Sequence, residues 1–86
     1  MYGKQPTYHG PDNVKLYIDV KDHDTPAIVE VGRYTATYDC AMDTGEMDCG
    51  AGPDLTQAQL DWLEQFRDEV NRAFDTARAG MREYGN

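Results

Sequence analysis

The sequence predicts an α+β domain: an antiparallel three- to four-stranded meander sheet with one long C-terminal helix packed on its apolar face. Three observations carry this expectation. Residues 14–20 alternate apolar and polar side chains with period two, residues 27–43 do so again, and from residue 57 onward the apolar period changes to that of a helix. Neither a one-faced sheet nor a one-striped helix can bury its apolar side alone, so the two are expected to cover each other. Eighty-six residues allow one domain with a small core. Its expected parts are an arm over 1–13, the sheet over 14–51 and the helix over 56–80.

Residues 1–13 contain Gly3, Pro6, Gly10, Pro11, Asp12 and Asn13, a composition that disfavours helix and strand. In the first strand Val14, Leu16, Ile18 and Val20 share one face, and Lys15, Tyr17 and Asp19 the other. Lys21 to Pro26 is a turn cluster. The chain resumes with Ala27, Val29 and Val31 inward, and from Tyr34 the apolar parity switches to even numbers: Tyr34, Ala36, Tyr38, Cys40, Met42. Gly32 stands at the switch. It reads as a bulge in one long bent strand over 27–43, with a tight turn as the alternative.

A two-residue loop at Thr44-Gly45 then pairs Asp43 with Glu46, Met42 with Met47 and Cys40 with Cys49. Both cysteines and both methionines fall on the apolar face of this hairpin, and Asp39, Asp43, Glu46 and Asp48 on the other. A three-residue loop would change the pairing. Thr56 as N-cap, Gln59 as its reciprocal partner and the Leu55/Leu60 pair announce the helix. Leu60, Leu63, Phe66, Val70, Ala73, Phe74, Ala77 and Met81 share its inner flank, and Gly80 is the expected stop, with an extension past it as the alternative because Met81 and Tyr84 keep the phase.

Sixteen Asp and Glu against eight Lys and Arg give a net charge of −8. That balance argues against direct binding of nucleic acid, which requires phosphates to be neutralised, and for a basic partner. The excess is localised: residues 12–54 carry ten acids and three bases, and residues 39–54 hold Asp39, Asp43, Glu46, Asp48 and Asp54 with no Lys or Arg. No apolar run is long enough to span a bilayer, and Met1-Tyr2-Gly3-Lys4-Gln5-Pro6 lacks the apolar middle of a signal peptide. The expected address is the cytoplasm, with no membrane partner.

The expected chemistry is non-catalytic. Cys40 and Cys49 could form a disulfide worth roughly 2.5 kcal/mol by loop entropy, whereas a cytoplasmic chain favours two reduced core thiols. Two cysteines with His9 and His23 make a poor metal site, and neither metal nor cofactor is expected. Asp22-His23-Asp24 reads as turn chemistry. Asp43-Thr44-Gly45 echoes an aspartic-protease tripeptide without the apolar surroundings that a shared proton needs. No phosphate-binding glycine loop or nucleophile motif is present.

The remaining constellation is the carboxylate set Asp39, Asp43, Glu46 and Asp48, continued on the helix by Asp61, Glu64, Asp68 and Asp75. The four helix acids cluster within about 60° of the wheel. Same-face strand residues repeat at about 6.6–6.8 Å, close to the spacing of successive phosphates, so these acids can stand in for a nucleic-acid backbone. An ordinary solvated acidic face is the plainer reading. Tyr17, on the outer face of its strand, is a candidate interface anchor.

A short domain with a meander ending at Asp43-Thr44-Gly45-Glu46, an acidic outer face and a lone long helix resembles the small acidic inhibitors encoded by bacteriophages, anti-CRISPR proteins and other nucleic-acid mimics among them. The resemblance covers the general build of residues 14–84 and no shared motif. It implies a non-enzymatic protein of the host-cell cytoplasm that occludes the basic nucleic-acid channel of a host defence complex. The competing expectation is a structural or assembly protein, a virion component or dimerisation module, using Tyr and Met contacts and forming a homo-oligomer.

Overall fold

A computed structural model describes the backbone of residues 5–22 and 24–85, and their side chains except at 49–50 and 80–85. Four antiparallel strands form one sheet in chain order: β1 (Tyr8–His9), β2 (Val14–Ile18), β3 (Ala27–Val31) and β4 (Tyr34–Thr37). In the register Leu16 lies opposite Val29 and Val29 opposite Ala36. By alternation, Val14, Leu16, Ile18, Ala27, Val29, Val31, Tyr34 and Ala36 therefore share one face. That face carries the core: Val14, Leu16, Ala27 and Val29 are fully buried in one cluster with Leu63 and Val70. An α+β architecture with an antiparallel meander is thus present.

Four expectations about the elements are corrected. The arm is structured at its end, because β1 pairs Tyr8 with Leu16 and His9 with Lys15. The long bent strand over 27–43 is instead two strands joined at Gly32-Arg33, with Val31 opposite Tyr34 and Gly32 at φ +60°. A two-residue hairpin turn reverses the parity of inward positions by itself and needs a left-handed residue, which glycine supplies without a steric cost. The parity switch marked a turn, the alternative to a bulge.

The hairpin at Thr44-Gly45 does not form, so neither does its pairing. Residues Tyr38–Thr44 are a short helix, α1, and Met47–Gly50 a 3-10 turn. Thr37 caps α1 by accepting from the Cys40 amide, and Gly45, at φ +71°, ends it with its N–H on the Ala41 carbonyl. Tyr38 and Ala41 are buried and Met42 packs beside them, an i, i+3, i+4 set. Tyr38, Cys40 and Met42 fit a strand equally well, and over so short a run the two periods cannot be told apart. Cys40 is disulfide-bonded from this helix, against the expectation of reduced thiols and not across a strand ladder; Cys49 is the chain's other cysteine.

The long helix is also interrupted: α2 spans Gln57–Glu64 and α3 spans Arg67–Gly85. At the junction the Phe66 amide donates to the Leu63 carbonyl at 3.1 Å, a tighter turn than the α-helical one. The buried Tyr38 hydroxyl donates to the same carbonyl, a group that an unbroken helix would satisfy internally. The backbone stays helical through Gly80, which is the extension past that glycine and not the stop.

The start of α2 follows its sequence signal. Thr56 accepts from the Gln59 amide, and the Gln59 side chain accepts from the Thr56 amide at 2.8 Å, a complete capping box. Gln59 is buried, 3% exposed, because its Nε2 also donates to the Asp12 carbonyl at 3.0 Å. One side chain thereby ties the arm to the helix. Asp12 and Asn13 take left-handed backbone angles, φ 53° and 66°, to make that approach. Tyr8 completes the strap: its ring stacks on Phe66 at 4.5 Å and its hydroxyl donates to both oxygens of Glu69 at 3.0 and 2.8 Å.

Candidate functional site

The acidic segment 39–54 is carried by α1, the 3-10 turn and the loop to Asp54, not by strands. Asp39 and Asp43 stand one helical turn apart on the same side of α1, and both are exposed. Their spacing along the axis is about 6 Å, so the near-match to phosphate spacing comes from a helix. Asp39 lies in the first turn of α1, where a carboxylate meets the positive end of the helix dipole.

Glu46 is half-buried and Asp48 exposed. Asp48 adopts a left-handed φ of 53°, uncommon for a residue with a side chain. Glu46 forms an isolated antiparallel bridge with Asp54, which sets two acids opposite each other along the backbone. Asp54 belongs to the acid-rich run, and no local pattern in the sequence shows that the chain returns it to Glu46. Met47 anchors the segment: it is fully buried, its amide donates to the Pro53 carbonyl and its carbonyl accepts from Gly52, both at 2.9 Å.

The acids of the helices have local partners instead of forming one free ridge. Asp61 accepts from Gln57 Nε2 at 2.8 Å. Glu64 is gripped by Arg67 through two bonds, Nε to Oε1 at 2.9 Å and Nη2 to Oε2 at 2.8 Å. This hydrogen-bonded pairing lowers the Glu64 pKa and raises that of Arg67, with slight desolvation opposing both shifts. Asp68 opens α3 beside Glu69, again at the positive end of a dipole. Asp75 lies 3.9 Å from Arg78.

The structure does bring the start of α1 to the α2–α3 junction electrostatically. Burial raises the Tyr38 pKa; Arg67 opposes the rise, and Glu64 and Asp39 add to it. Asp39 and Glu64 therefore act on one buried phenol, with Arg67 as the local counter-charge.

Tyr17 does not belong to an exposed site. It is 6% exposed, and its hydroxyl donates to Glu30 Oε1 at 2.8 Å. Glu30 is itself 2% exposed, with Lys15 Nζ 3.8 Å from the same oxygen. Ile28, on this second face, is also buried. The alternation placed Tyr17 correctly away from the core face; what it could not show is that the second face is covered too.

Asp22 serves its turn, accepting from the Thr25 amide at 3.0 Å and the Thr25 hydroxyl at 2.8 Å. His23 lies outside the described residues. Among the described residues no group of three His, Cys, Asp or Glu could hold a metal ion, and no helix is long and apolar enough to cross a membrane. No family model, curated protein or solved structure matches this chain.

Proposed function

We propose that the chain is a non-enzymatic binding module that occludes a basic nucleic-acid-binding surface of a host defence complex, in the manner of phage-encoded anti-CRISPR inhibitors. Its contact face is the segment bearing Asp39, Asp43, Glu46, Asp48 and Asp54. One observation carries the reading: these five acids sit on consecutive short elements with no Lys or Arg among residues 39–54, and a backbone bridge brings Asp54 opposite Glu46. Most helix acids have neighbouring donors, whereas this segment carries five acids and no base of its own, with Arg67 of α3 as the cation that acts on Asp39. A Lys- or Arg-lined channel is the complementary surface, and mutual attraction speeds encounter.

The assembly reading has less support among the described residues. Tyr8, Tyr17 and Tyr38 spend their hydroxyls on Glu69, Glu30 and the Leu63 carbonyl. Met47 is fully buried, and among the described residues Val20 is the exposed large hydrophobic.

Displacement of a fluorescent target duplex from purified CRISPR effector complexes tests the proposal. The chain is expected to block duplex binding at about 50 mM salt and to weaken steeply towards about 200 mM, as contacts dominated by charge do. Duplex binding that is unaffected at low salt across the complexes would overturn it.

A further inference from the structure

Between β1 and β2 the chain reverses direction within the three residues Pro11–Asn13. Gly10 and Val14 on either side are extended, while Asp12 and Asn13 stand at left-handed φ of 53° and 66°. Residues with side chains keep such angles only where the surroundings impose them, and two in succession place the strain at one point. We propose that Pro11–Asn13 is a hinge: it straightens, and the arm over residues 5–10 leaves its own chain to dock in the same seat on a second copy, forming a two-fold arm-exchanged dimer. The bonds that seat the arm lie outside residues 39–54, so the exchange is independent of the acidic-surface reading.

The seat fits the arm whichever copy supplies it. The Thr7 amide donates to the Leu16 carbonyl and the Thr7 hydroxyl accepts from the Ile18 amide, both at 2.9 Å. Tyr8 stacks on Phe66 and bonds Glu69. Gly10 lies so close to the Trp62 ring that a methyl carbon there would stand 2.5 Å from it. Each contact joins the arm to residues beyond the hinge, so each is equally available between copies, and a two-fold axis makes both sets at once. With the arm withdrawn, the edge of β2 presents the Leu16 carbonyl and the Ile18 amide without these partners, a template that an extended segment of another chain fills.

Exchange gives up the bond from the Val14 amide to the Pro11 carbonyl and those that Asp12 makes with Thr56 and Gln59. Against that loss it releases two left-handed residues in each chain, and the straightened hinges, antiparallel about the two-fold axis, come within reach of pairing with each other. Pro11 suits the straight form, since its ring holds φ at about −65°, compatible with extended chain. Short hinges under strain are the ones that invite exchange. A tethered arm competes at an effective concentration of roughly millimolar order, so protein concentration in that range decides between closed monomer and dimer.

Analytical ultracentrifugation and isotope-filtered NMR on the full chain test the exchange, with labelled and unlabelled protein mixed in equal parts and warmed together before measurement. At about 1 mM the parent is expected to contain a dimer that disappears on dilution, and the Tyr8 ring of one copy to show Overhauser contacts with Phe66 of the other. Asn13→Pro excludes a φ of 66° and pushes Asp12 towards extended backbone, so it should dimerise at least about tenfold more tightly. Asn13→Gly takes the left-handed angle without steric cost and should dimerise about tenfold more weakly. A parent that stays monomeric at about 1 mM, a dimer without Tyr8–Phe66 contacts between copies, or an Asn13→Gly chain that dimerises as well as its parent would overturn the proposal. So would an Asn13→Pro chain that dimerises no better than the parent, whether it folds or not.

Discussion

At Gly10 an added methyl carbon would lie 2.5 Å from Cδ2 of Trp62. The indole has little freedom to yield, because its ring sits edge-on to Phe66 at 4.9 Å and Phe66 is stacked against Tyr8. Gly10→Ala is expected to lower stability by about 1–3 kcal/mol, the usual cost of overpacking, measured by urea unfolding. Tyr8 makes a prediction with a sign. Its hydrogen bond to Glu69 holds its pKa above the ordinary tyrosine value, helped by burial and by the Glu69 charge. The folded state thus favours the neutral phenol. The Tyr8 contribution to stability is fully present below about pH 10, where the unfolded phenol titrates, and is lost as pH rises through the folded value. In an ultraviolet titration one late-ionising tyrosine should disappear in Tyr8→Phe, and the stability difference between the two proteins should shrink in alkali.

The elements show where a sequence speaks and where it does not. The α2 start was legible, because Thr56 and Gln59 form a capping box whose two halves are three residues apart. So were β2 and β3, whose alternation is long enough to exclude a helix. The α1 helix was not: seven residues, Tyr38–Thr44, satisfy both periods, and only the tertiary position of Tyr38 beneath the α2–α3 junction decides between them. The same hydroxyl bonds the Leu63 carbonyl beside the break at Gln65-Phe66, which the continuous apolar flank of residues 60–77 conceals. Two substitutions test these joints. Gln59→Ala removes half the capping box and the bond to Asp12, and should cost about 1–3 kcal/mol. Tyr38→Phe keeps the ring buried but removes the donor to the Leu63 carbonyl, and should cost about 0.5–1.5 kcal/mol. Both are read by thermal or urea unfolding, and a neutral result at either position would contradict the role given to that side chain.

For the molecule as a whole, the charge of −8 resolves into three populations, of which the acids of residues 12–30 serve turns and the buried Glu30 pairs with Tyr17 and Lys15. Acids on α2 and α3 are mostly engaged by Gln57, Arg67, Tyr8 and Arg78 or favoured by a helix dipole, whereas those of residues 39–54 have no Lys or Arg within their own segment. The sequence made that charge run visible, and the hairpin register assigned it the wrong geometry, because the return of Asp54 to Glu46 and the helical turn between Asp39 and Asp43 are tertiary facts. If the run exists for binding, neutralising it should separate stability from function. D39N/D43N/E46Q/D48N is expected to unfold within about 1 kcal/mol of the parent, since relief of like-charge repulsion offsets the loss of the Asp39 interaction with the α1 dipole. The most direct measurement is the displacement of target duplex from the effector complex by this quadruple variant beside the parent, each with its circular dichroism recorded. The account predicts a folded variant whose inhibition at low salt falls at least about tenfold, the factor that 1.4 kcal/mol of lost binding represents. A folded variant that inhibits as well as its parent would contradict it.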